Sequence, residues 1–134
     1  SAKDAENQTT TRSFTLTVNN NTAPVWTTSA GSLGTYYQDG NAISPITLVA
    51  TDGDANYVQT MSYSVTSGSL PTGLSLNSST GVISGTLSGY TADGTTTTVN
   101  FTVTASDGVD TTARAFSLTV ATLYLQNNSL RFGF

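Results

Sequence analysis

The chain has no cysteine and no histidine. Without cysteine there are no disulfides and no thiolate metal sites, and redox chemistry leaves the compartment open. With both absent, no Ser–His or Cys–His nucleophile can be assembled. Charge is scarce too: 9% of residues are charged, and eight acids stand against Lys3, Arg12, Arg114 and Arg131. A net charge of −4 and a pI near 4.1 argue against nucleic-acid and anionic-membrane partners, which need clustered Lys and Arg. No run approaches the ~20 apolar residues that cross a bilayer, so no membrane insertion is expected. The chain opens at Ser1 with neither an initiator Met nor an apolar leader, as a processed or excerpted chain would.

About a third of the residues are Ser or Thr, and Thr with Val, Tyr and Phe favours pleated, half-buried backbone. The 134 residues suit one domain with its own core. No segment holds a helical period. Apolar and polar residues instead alternate in short runs bounded by Gly, Asn, Asp and Ser. Phe14, Leu16 and Val18 form one run; Ile46, Leu48 and Ala50 another; Met61, Tyr63 and Val65 a third. Leu74 and Leu76 lead through "NSSTG" to Val82 and Ile83, a hairpin with turn residues in place. Val99, Phe101, Val103 and Ala105 follow, and Phe116, Leu118 and Val120 close the series. Pro24, Pro45 and Pro71 lie at the edges of runs, where a missing N–H costs least. The pattern predicts an all-β, antiparallel sandwich.

One run is stated twice. "AKDAENQTTTRSFTLTV" (2–18) reads against "ASDGVDTTARAFSLTV" (105–120), with Asp4 matching Asp107, 103 positions on. That offset is about the length of an immunoglobulin-like domain. The expected organisation is therefore a strand segment over 1–18, a sandwich over 19–121 and a C-terminal strand extension over 122–134.

"YSVTSGSLPTGLSLNSSTGVISGTLSG" (63–89) followed by "VNFTVTASDGVDTTARAFSLTV" (99–120) resembles the Ig-like repeats of bacterial or phage surface proteins, relatives of the cadherin-like domain of dystroglycan. The resemblance covers about residues 19–120. It implies an Ig/cadherin-like β-sandwich whose members are non-enzymatic spacers, adhesive modules and fibre or virion decorations, often in tandem. Location at a cell or virion surface is implied with it. "ATDGDAN" (50–56) and "ASDG" (105–108) resemble cadherin motifs that supply calcium ligands, which marks Asp52, Asp54 and Asp107 as calcium candidates. "NNTAP" (20–24) resembles the cadherin linker, but with Asn21 where that pattern has Asp and Thr22 where it has Asn. No cofactor is required on this reading, and calcium is the one its motifs would admit.

The alternative role for these aspartates is to cap turns through their own backbone. The same holds for Asp39, Asp93 and Asp110, for which turn-forming is a commoner role than a pair of carboxylates facing across a cleft, as glycosidase chemistry needs. No catalytic residue is expected. Trp26 reads as core; Tyr36, Tyr37 and Tyr57 could instead form a sugar-stacking platform, the mark of a carbohydrate-binding module. Asn-x-Ser/Thr sequons at Asn7, Asn20, Asn77, Asn100 and Asn127 are glycosylation candidates.

A strand carrying Phe14, Leu16 and Val18 on one face needs shelter: each buried side chain contributes about 1.5–3 kcal/mol. It could pair within its own sandwich, with a preceding domain, or with a neighbouring subunit as donated strands do. The last option predicts a structural subunit of an extracellular fibre or surface array, assembled with copies of itself through 1–18. "SAKDAENQTTT" would be its flexible lead, "NNNT" its hinge and "SLRFGF" a second pairing edge. The alternative is one unit of a tandem adhesin whose partners are neighbouring repeats, stiffened by calcium.

Overall fold

The computed structural model describes residues 2–3, 5–18, 20–54, 59–126 and 129–132. Among them there is no helix. The strands are β1 (Ala2–Lys3), β2 (Thr9–Thr10), β3 (Val25–Trp26), β4 (Gly31–Gln38), β5 (Ile46–Thr47), β6 (Ala50–Thr51), β7 (Ser62–Gly68), β8 (Leu74–Leu76), β9 (Val82–Gly85), β10 (Thr96–Ser106), β11 (Thr111–Gln126) and β12 (Ser129–Phe132). The larger sheet runs β4-β11-β10-β7, with β12 turning back on the far end of β11. Opposite it stand the two-stranded β3-β6 and the three-stranded β5-β9-β8. All pairings are antiparallel except β4 with β11, which run parallel from Gly31↔Phe116 to Gln38↔Thr122.

The alternation sets which side chains meet between the layers. Phe101, Val103 and Ala105 of β10 and Phe116 and Leu118 of β11 point inward with Tyr63 of β7. They meet Trp26, Leu48, Ala50 and Ile83 from the opposite layer. Trp26 sets its ring edge-on to Phe116 at 5.5 Å and 69°, and its Nε1–H donates to Thr112 O at 2.9 Å. That satisfies the indole, so Trp26 is a core residue. A smaller cluster of Ile43, Leu87 and Val120 closes the far end, with Tyr36 packed against both clusters.

Three elements differ from the periodicity. The run over 46–50 is two strands, because Ile46 pairs with Ile83 while Ala50 pairs with Trp26. The chain changes partners at Leu48–Val49, where Leu48 N donates to Gly81 O and Val49 N to Thr28 Oγ1. β4 escapes the alternation because Gly31 and Gly34 interrupt it, both at positive φ. β11 does not stop at Val120 but continues through the expected 121/122 boundary, burying Ala121 and Leu123. The stretch around "SLRFGF" thus has its described part, β12, paired within the chain.

Candidate functional site

Two features lie outside the packed core: the leading segment, and the polar end of the sandwich where that segment joins. Residues 11–18 form no strand, and Phe14, Leu16 and Val18 are 89%, 88% and 76% exposed. Their counterparts Phe116, Leu118 and Val120 are 2%, 1% and 1% exposed. The segment therefore does not fold back as an extra edge on its own sandwich. Ahead of it the expected flexible lead is a small hairpin: Ala2 pairs with Thr10 and Lys3 with Thr9, around a turn with Asn7 at φ 69°. Asn is among the few residues that tolerate that conformation. The end of β10 and the start of β11 repeat this register, with Ala105↔Thr112 and Ser106↔Thr111. The likeness between 2–18 and 105–120 thus extends from sequence to hairpin geometry.

At the joining end, residues 20–24 meet the 52–54 loop, Gln59 and the β10–β11 turn. Asn21 Nδ2 donates to Asp107 Oδ2 and to Asp110 Oδ2, both at 2.9 Å. Asn21 Oδ1 accepts from Gln59 Nε2 at 2.8 Å. Asp54 accepts from Thr22 N at 2.8 Å and Thr22 Oγ1 at 3.0 Å. Asp52 accepts from Asp54 N at 3.0 Å and Gln59 N at 2.6 Å. Asp107 Oδ1 accepts from Val109 N at 2.8 Å and Asp110 N at 2.7 Å. Burial of Asp107 favours its neutral form, but the bonds from Asn21, Asp110 and Val109 outweigh this and hold its pKa below the ordinary carboxylate value.

The chain belongs to the family described as "Putative Ig domain". Its model matches residues 24–121, most of the sandwich. No protein of curated function matches the sequence. Among solved structures, repeats EC1-2 of human protocadherin-24 are similar at TM-score 0.57 and 22% identity, over 75% of this chain and 44% of that one. Protocadherin gamma B2 extracellular cadherin domains 3-6 give TM-score 0.54 and 16% identity, over 72% and 22%. An endo-fucoidan hydrolase of glycoside hydrolase family 107 gives TM-score 0.53 and 22% identity, over 73% and 13%. The chain thus spans under half of each of these structures, and at such identities the likeness shows the Ig/cadherin-like fold alone.

In this Putative Ig domain, Asp52, Asp54 and Asp107 do gather at one end, joined by Asp110, Asn21 and Gln59, which sequence reasoning did not select. Their oxygens do not converge on one point: among the described residues no three His, Cys, Asp or Glu side chains are grouped to hold a metal ion. Calcium wants six to eight oxygens at about 2.3–2.6 Å. Here an N–H donor stands between Asp107 and Asp110, and Asp52, Asp54 and Asp107 also accept backbone N–H groups and one hydroxyl. Gln59 Oε1, buried without a partner, offers one neutral oxygen toward that number. Among the described residues the donor set does not fit calcium. The turn-capping role is visible at Asp39, whose Oδ1 accepts Asn41 N, and at Asp93, whose Oδ1 accepts Thr95 N and Oγ1.

Tyr36 is half-buried against the core while Tyr37 lies on the opposite face of β4. Tyr57 lies outside the described residues, as does Asn127. Asn7, Asn20 and Asn100 are exposed; Asn77 is exposed too, but its Oδ1 caps the β8–β9 turn through Ser79 N and Thr80 N. Among the described residues no helix is long and apolar enough to cross a membrane.

Proposed function

We propose that the chain is a non-enzymatic structural module of an extracellular fibre or surface array, joined to neighbouring sandwiches by β-strand pairing through residues 1–18. One observation carries this reading: Phe14, Leu16 and Val18 stand in water, while the same three residue types 102 positions on lie sealed in a core. A strand with that face and free backbone groups is stable only when another sandwich supplies both apolar cover and hydrogen-bond partners. β4 and β7, the outer strands of the larger sheet, are the edges such a strand would meet. A head-to-tail contact of this kind propagates into a filament wherever its rotation does not close a ring. The likeness to extracellular cadherin domains supports a surface location. Deleting residues 1–18 should abolish filaments seen by electron microscopy; filaments of undiminished length would refute the proposal.

A second reading is favoured by the hairpin. Because β1–β2 reproduces the register of β10–β11, residues 2–18 fit as the closing strands of a preceding sandwich, and the chain as one unit of a tandem adhesin. Fusing a copy of residues 19–104 ahead of residue 2, so that 2–18 can serve as its closing strands, separates the two. Protection of Phe14, Leu16 and Val18 within a monomer supports the tandem unit; protection only in polymers supports the fibre.

A further inference from the structure

Asn21 bridges the β10–β11 turn and Gln59 to the joining segment. Its amide has two N–H donors and one strong acceptor oxygen, and all three are engaged. The orientation follows from the partners. Turned over, the amide would set its oxygen against two carboxylates and its N–H groups against the Gln59 Nε2 donor. The bonds reach across the chain, from residue 21 to residues 59, 107 and 110, and so tie three separate segments at one point. Thr22 adds two bonds to Asp54 on the adjoining loop. Gly53 completes the fit: a Cβ there would meet Thr22 Cγ2 at 2.7 Å and Ala23 O at 2.9 Å, so the segment lies directly on that loop.

We infer that the joining segment is locked to the sandwich at Asn21 and Thr22 by the neutral Asn21 amide in place of a metal ion, so that the point at which this segment meets the domain is fixed independently of calcium. The expected "NNNT" hinge is thereby excluded at Asn21 and Thr22, which are pinned. An amide is the donor suited to this place: it satisfies two carboxylate oxygens without adding a charge that must be desolvated. Two carboxylates brought together with no donor between them would repel each other, so Asn21 also keeps the β10–β11 turn closed. The inference does not depend on assembly, since it concerns contacts within one chain.

Thermal melts and backbone hydrogen exchange of the intact chain, with EDTA and with excess calcium, test it. The native protein should melt at the same midpoint in both, with the Thr22 amide equally protected. In Asn21→Ala the midpoint should fall by about 3–6 °C. Exchange at Thr22 should rise about tenfold, as for one lost hydrogen bond, whether or not calcium is present. Asn21→Asp should melt lower in EDTA and recover with calcium, because it exchanges the amide for the carboxylate a cation needs. A native midpoint that rises with calcium, or an Asn21→Ala protein with native melting and native Thr22 exchange, would overturn the inference. Should Asn21→Ala not fold, Gly53→Ala is the second variant. It should raise Thr22 exchange in both buffers by crowding the segment off its loop, and unchanged exchange would count against the lock.

Discussion

Tyr63 illustrates how much a single side chain can join. Its ring packs 5.9 Å from Trp26, and its hydroxyl accepts Ala50 N–H at 3.2 Å and donates to Ala50 O at 3.3 Å. The hydroxyl thus bridges the two layers where the 46–51 segment changes partners. Tyr63→Phe keeps the packing and removes that bridge, leaving buried polar groups short of a partner. It should cost about 1–2 kcal/mol in urea denaturation, with an unchanged m-value. Acid should act on the same molecule through Asp107, whose folded pKa lies below its ordinary value of 3.8. A carboxyl shifted this way contributes stability that is fully present above the unfolded pKa and is lost as pH falls through the lower folded one. Asp39, through its bonds from Asn41, and Asp93, through its bonds from Thr95, act in the same direction. Denaturation midpoints should therefore hold from neutral pH down to about 5 and decline below about 4. Flat stability to pH 2 would contradict this. These aspartates were visible in the sequence as turn formers; the Asn21 contact was not, because its partners lie 86 and 89 positions away and a neutral residue reads as a defect in an acidic pattern.

At the scale of elements, alternation was a sound guide wherever both neighbours of a strand are present in the chain. β10 and β11 form an uninterrupted antiparallel ladder from Thr96↔Ala121 to Ser106↔Thr111, with the apolar set sealed on one face. It misled where a partner is shared or missing. Ile46–Ala50 splits between two partners, and residues 13–18 have the pattern of a strand without the pairing that would make them one. A period names a face; only a partner makes a strand. The β8–β9 hairpin was legible because its turn chemistry is local: Asn77 caps it, Gly81 N donates to Asn77 O at 2.9 Å, and Gly81 sits at φ 70°. A Cβ at Gly81 would also run into Leu48 O, the acceptor side of the neighbouring segment. Gly81→Ala should therefore cost about 1–3 kcal/mol from backbone strain and that contact together, read as a lowered urea midpoint. Gly40→Ala is the control, because its φ is positive but a Cβ there meets nothing within 4 Å, so only the conformational part remains.

For the whole molecule, magnitudes decide what the leading segment can do. Burying Phe14, Leu16 and Val18 contributes about 1.5–3 kcal/mol each. Bringing two free chains together costs about 4–15 kcal/mol before any contact is counted. One donated strand is therefore marginal between free monomers and becomes favourable when concentration or covalent linkage raises the local supply of partners. The sequence could display the strand but not its receiver, since β4 and β7 are both outer strands and composition does not choose between them. It follows that the native chain should be monomeric when dilute and form growing species as concentration rises, followed by sedimentation velocity. A variant with Phe14→Ser, Leu16→Ser and Val18→Ser should stay monomeric at every concentration. Its thermal midpoint when dilute should match the native one, because the three side chains lie in water and contribute no packing to the sandwich. Concentration-dependent growth in that variant would move the assembly surface elsewhere on the sandwich, and a lowered midpoint would mean the segment shelters in its own domain.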